Sequence, residues 1–138
     1  MNKYKQLIEK HQKEFNAIEK FFAFNESQFK EGLKKLNCKK DDITRINGVF
    51  FIRKIDVNNV KELLTRQTKE LNTAIKNDKT GLGFIKDMFL YELDNHEYMY
   101  TYDLTDTLNS LGFSKDDILN DKSLHNGLTV AIKELRSY

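Results

Sequence analysis

The run Val49-Phe50-Phe51-Ile52-Arg53-Lys54 constrains the fold more than any other segment. It is β-branched and aromatic, follows the turn dipeptide Asn47-Gly48 and stops at Asp56, which are the marks of a strand. A strand cannot stand alone, because its backbone N–H and C=O groups need partners. Elsewhere the chain carries helical periodicity, and no proline interrupts it. One other segment alternates with period two: Glu97-Tyr98-Met99-Tyr100-Thr101-Tyr102, with three tyrosines on one strand face. The two segments are expected to pair antiparallel, as a ribbon over about 49–54 and 98–102. Two strands are marginal alone, so helices must cover them. The expectation is a single α+β domain over 1–138, mostly helical, with five or six helices and this small ribbon.

The helices follow from apolar spacing. Tyr4, Leu7, Ile8, His11, Phe15, Ile18 and Phe22 recur three and four apart, predicting a helix over 2–20. Its apolar face suits internal packing and a homodimer equally. Asn25 is placed to cap a second helix, with Gln28 completing a capping box and Phe24 and Phe29 set for a hydrophobic staple. Asn37 ends that helix, and 42–46 reads as a turn. Further helices are predicted over 57–77, 82–95, from Asp103 to Leu111, and over 124–137 behind a Ser123 cap, with a short turn at Ser114–Asp117. Leu33–Ile43 and Leu108–Ile118 match at six of eleven positions, at an offset of 75. Both read as a helix end, a left-handed stop and a capped turn, either by convergence or as a duplicated corner.

Charge is segregated. Residues 1–80 carry eighteen bases and eleven acids, a balance of +7; residues 81–138 carry five bases and ten acids, a balance of −5. Such asymmetry suggests an electrostatic partner surface. No stretch reaches the ~20 apolar residues of a membrane helix, and MNKYKQLIEKHQ has no apolar signal region. The single cysteine, Cys38, leaves no disulfide framework. A cytoplasmic location is expected.

Motifs for catalysis are weak. Gly81-Leu82-Gly83 lacks the third glycine and the preceding strand of a dinucleotide loop. Glu92 and His96 stand four apart, a spacing that can place two metal ligands or a carboxylate–imidazole pair, but the zinc helix motif needs a second histidine four residues after the first, and a structural end to the helix is the favoured reading. No catalytic residue, metal or cofactor is expected. Two surfaces remain. The acidic one comprises Asp94, Glu97, Asp103, Asp106, Asp116 and Asp117, with Tyr98, Tyr100 and Tyr102 as aromatic anchors for a protein partner where their face is exposed, or as core where a helix covers it. The basic one comprises Lys34, Lys35, Lys39, Lys40, Arg45, Arg53 and Lys54, which would serve nucleic acid. Lysine outnumbers arginine there, which weakens base readout.

Phe22-Ala23-Phe24, Gln28-Phe29 through Gly32-Leu33 to Leu36, and Tyr91-Glu92-Leu93-Asp94-Asn95-His96-Glu97-Tyr98 resemble a family of small uncharacterised proteins. Phages and other mobile elements of low-GC Gram-positive bacteria carry that family. The resemblance covers about 14–113 and implies no reaction and no catalytic residues. It implies an accessory protein of the bacterial host cell that binds and modulates a host protein. An inhibitor of a defence system, such as a CRISPR nuclease complex met through the acidic surface, is the expected form; a nucleic-acid-binding regulator using the basic half is the alternative.

Overall fold

Val49–Lys54 does contain a strand, but its partner is local. In the computed structural model, which describes residues 1–137, strand β1 (Ile43–Ile46) pairs antiparallel with β2 (Phe50–Arg53). Asn47 and Gly48 are both left-handed (φ 53° and 69°), and the Val49 N–H donates to Ile46 O at 2.9 Å. Left-handed residues match the twist of a tight hairpin. The expected turn at 42–46 is therefore a strand. On the other edge of β2, Phe51 exchanges two backbone hydrogen bonds with Phe21 (3.0 and 2.8 Å). With both edges taken, β2 leaves no place for residues 98–102.

In chain order the helices are α1 (Lys3–Asn16), α2 (Glu26–Lys35), α3 (Val57–Asn77), α4 (Phe84–Asn95), α5 (Tyr98–Thr101), α6 (Thr105–Leu111), α7 (Lys115–Leu119) and α8 (Lys122–Arg136). Among the described residues the protein is mostly helical with one two-stranded antiparallel sheet. Eight α-helices stand among the described residues, where five or six were expected, because α5 and α7 are single turns. The chain divides into two compact units, 11–69 and 1–10 with 70–138.

In the 11–69 unit β2 is buried on both faces, which is why its sequence runs apolar rather than alternating. Phe51 faces Phe21, Leu36 and Ile43; Phe50 and Ile52 face Ile46 and Val60. The first helix stops at Asn16, short of the expected 20. Lys20 turns its ammonium onto Phe15 O (2.8 Å) and Ile18 O (3.3 Å), satisfying carbonyls at that end. Asn25 caps α2 by accepting from the Gln28 N–H at 2.8 Å. Gln28 Oε1 accepts from the Phe24 N–H rather than from that of Asn25. The staple does not form: Phe24 is 87% exposed, while Phe29 packs edge-on to Phe51.

In the other unit α4 supplies the core, with Ile85, Met88, Phe89 and Leu93 buried, and packs along α8. The cap of α8 is Asp121, which accepts from the Leu124 N–H at 3.1 Å; Ser123 instead donates to Lys79 O at 2.6 Å. The Asp78 carboxylate fills the start of α4, accepting from the N–H groups of Gly81 (3.0 Å), Gly83 (3.0 Å) and Ile85 (2.9 Å). The Gly81 and Gly83 amides are thus occupied by the chain's own carboxylate, and the Leu82 N–H donates to the Thr80 hydroxyl at 3.1 Å.

Burial alone would raise the Asp78 pKa, but those three N–H groups and the Thr80 hydroxyl outweigh it and hold the carboxyl below its ordinary value. Its stabilisation is therefore complete above the unfolded value of about 3.9 and is lost as pH falls through the lower folded value. Asp78→Ala should cost about 1–3 kcal/mol at pH 7. Urea titrations at pH 7 and at about pH 2 should show the gap between the variant and the wild type shrinking with acid; a gap independent of pH would contradict the assignment.

The two repeated corners close with the same bonds. Cys38 N–H donates to Leu33 O (2.9 Å) and Asn37 N–H to Lys34 O (3.1 Å); Phe113 N–H donates to Leu108 O (3.0 Å) and Gly112 N–H to Asn109 O (3.1 Å). These are Schellman pairs around left-handed Asn37 and Gly112. Asp42 then accepts from the Lys39 N–H, and Asp117 from that of Ser114. After them the corners diverge, Ile43 entering β1 and Ile118 continuing α7.

Candidate partner-binding face

The Glu97–Tyr102 segment is a single helical turn, not the expected strand. Glu97 and Tyr102 are both left-handed (φ 57° and 54°) and bracket α5. The helical path redistributes the three tyrosines. Tyr98 and Tyr102 stand i and i+4, on one side, and their rings meet edge to face at 6.0 Å. Tyr98 is 6% exposed and belongs to the core. Tyr100 points away and is 87% exposed, and Tyr102 is 63% exposed. Left-handed backbone is uncommon for a residue as bulky as tyrosine and costs roughly 1–3 kcal/mol. It is held here by the Tyr102 N–H donating to Tyr98 O at 2.7 Å.

Carboxylates flank this turn along the chain. Asp94, at the end of α4, Glu97 and Asp106, in the first turn of α6, are exposed and make no side-chain hydrogen bond or ion pair among the described residues. Asp103 is engaged: it accepts from the Thr105 N–H at 2.8 Å. The Thr105 hydroxyl and N–H, aided by the Lys115 charge, hold its carboxyl below the ordinary value. Asp116 and Asp117 are exposed at the start of α7, and Asp117 is engaged in capping Ser114. Asp94, Glu97, Tyr100, Tyr102, Asp103 and Asp106 thus lie along the continuous stretch around α5, with Asp116 and Asp117 one helix further on.

Glu92 and His96 do not form a reactive pair. Glu92 is 8% exposed and turns inward, where it accepts from Tyr4 OH (3.3 Å) and, at the longer 3.5 Å, from the Ser110 hydroxyl. Burial, reinforced by the Glu92 charge, pushes the Tyr4 pKa well up, so its hydroxyl keeps its proton and donates it. His96 ends α4 through its backbone N–H to Glu92 O (3.0 Å). Among the described residues no group of three or more His, Cys, Asp or Glu side chains could hold a metal. Sequence reading missed the inward turn of Glu92, although Met88, Phe89, Glu92 and Leu93 stand at core spacing on α4.

The basic residues divide. Lys34, Lys35, Lys39, Lys40, Arg45 and Lys54 are exposed. Arg53 is committed to the fold: its guanidinium pairs with Glu19, lies 3.8 Å from Asp56 and donates to Leu36 O at 2.7 Å. The Arg45 guanidinium rests on the Phe51 ring, 4.9 Å from its centre. No helix among the described residues is long and apolar enough to cross a membrane.

The model of a family of unknown function, DUF7659, matches residues 3–134 of this chain. No curated protein and no solved structure matches it significantly.

Proposed function

Because the chain belongs to the family of unknown function DUF7659, we propose its function from its chemistry: a non-enzymatic protein that binds and modulates a partner through the acidic, aromatic face around α5. The supporting observation is the bracketing of α5 by two left-handed residues that are not glycine, Glu97 and Tyr102. Backbone strain of this kind persists where surrounding structure over-determines it, and it concentrates at functional sites. Tyr100 and Tyr102 stand in solvent, and the exposed residues Asp94, Glu97, Asp103 and Asp106 flank them along the chain. Tyrosine supplies rigid contact area, and carboxylates select a basic surface.

The narrower form of the proposal rests on the resemblance to mobile-element proteins. The partner is then a protein of the bacterial host, and a nuclease complex of a defence system fits because its nucleic-acid groove is basic. Carboxylates would occupy that groove where phosphates otherwise lie. Immobilised protein should retain such a partner from host lysate, with release by salt and by competing DNA. Tyr100→Ser with Asp94→Lys should reduce retention by about thirtyfold or more, each anchor contributing about 1–2 kcal/mol. Both positions are exposed, and a cation in the last turn of α4 favours the helix. Unchanged retention by the folded double variant would reject the face.

The second reading uses the six exposed cations Lys34, Lys35, Lys39, Lys40, Arg45 and Lys54 to bind nucleic acid. It predicts affinity for DNA or RNA that falls steeply with salt, and a titration at low salt without binding removes it.

A further inference from the structure

We infer that the 11–69 unit binds an extended acidic polypeptide, added as a strand along the free edge of β1. Three observations converge. β2 is paired on both edges, by β1 and by Phe21, whereas the outer edge of β1 has no backbone partner among the described residues. Beside that edge runs a groove of about 510 Å³, lined by β1 and its turn on one wall and by one face of α3 on the other. An open strand edge flanked by a helix is the geometry of strand-addition peptide sites, where main-chain bonds give affinity and alternate side chains give specificity.

The third observation sets the chemistry of the occupant. Side chains alternate across a sheet. Arg45 lies on the Phe51 side of the sheet, its guanidinium on that ring; Ile46 lies on the other, in the cluster with Val57 and Leu64. Thr44, Ile46, Val57 and Leu64 line the groove, with Lys61. Neither Arg45 nor Lys61 makes an ion pair among the described residues. An added strand would therefore place every second side chain against a groove wall that combines apolar Ile46, Val57 and Leu64 with Thr44, Thr65 and the Lys61 cation, and the intervening ones beside Arg45. The matching sequence alternates apolar and acidic residues. This site uses none of the residues of the α5 face and does not rest on that reading.

The test uses a fluorescent peptide of alternating glutamate and valine, read by anisotropy and by amide hydrogen exchange of the full chain. Saturable binding is expected, with slowed exchange of the Ile43 and Arg45 amides, which face the outer edge. Methylating the peptide amides that would face β1 should abolish it. Arg45→Glu, at an exposed position, should weaken it by about tenfold, as like charges across an interface do. Any of the following overturns the inference: no binding, equal binding of a lysine–valine peptide or of single-stranded RNA, unchanged binding by Arg45→Glu, or protection of these amides by self-association without peptide.

Discussion

Gly81→Ala is expected to lower stability by about 2–5 kcal/mol, among the largest effects of any single methyl group added to this chain. Two costs combine. Gly81 is left-handed (φ 80°), a conformation that costs an alanine roughly 1–2 kcal/mol. A Cβ there would also meet Ser123 O at 2.0 Å, and backbone cannot turn aside as a side chain can. The loop is fixed against α8 by the Ser123 hydroxyl on Lys79 O (2.6 Å) and by Asn126 Nδ2 on Thr80 O (2.8 Å). Gly127 completes the close approach, since a Cβ on it would lie 2.6 Å from Gly81 O. Gly112→Ala is the control: its φ is 76°, but nothing lies within 4 Å of the added carbon. It should cost only the conformational part, about 1–2 kcal/mol. Urea midpoints of the two variants measure the difference, and equal losses would mean that close packing at Gly81 contributes nothing.

Phe51→Ala should cost about 3–5 kcal/mol, the range for emptying a buried phenylalanine site. Phe51 stacks on Phe21 (5.1 Å, 13°), meets Phe29 edge-on (5.3 Å) and carries the Arg45 guanidinium. No neighbour can fill the space readily, because β2 is held on both edges by backbone bonds. Phe24→Ala removes the same atoms from an 87% exposed position and should stay within about 0.5 kcal/mol. Denaturation of the two variants by urea, followed by circular dichroism, distinguishes them; a comparable loss at Phe24 would place that ring in a contact the fold does not contain.

The contrast between these two phenylalanines marks how far the sequence could be read. Phe24 and Phe29 both sit where a staple belongs, yet only Phe29 is packed. Helix periodicity located α3 and α4 closely, since long amphipathic stripes are strong local signals. The Asn37 and Gly112 stops and the Ser114–Asp117 box were legible because their hydrogen bonds close within a few residues. The hairpin partner was missed although Asn47-Gly48 lies between Ile43–Ile46 and Val49–Ile52, a strong short-range hairpin signal. The competing pattern, Tyr98-Met99-Tyr100-Thr101-Tyr102, has strand period and helical structure. Of the candidate face, the sequence supplied the residues; it did not supply the split that buries Tyr98 and exposes Tyr100, or the engagement of Asp103, Asp117 and Arg53 in the fold.

The sequence by itself determined the helical character of the chain, the β2 strand, the left-handed stops at Asn37 and Gly112 and the segregation of charge, because each rests on residues near one another along the chain. Tertiary structure alone decided which strand pairs with β2, where Glu92 turns, and which tyrosines reach solvent. Those outcomes depend on edges, cavities and close approaches between distant residues. A period of two in the sequence carries no record of whether a strand edge is still open to receive it.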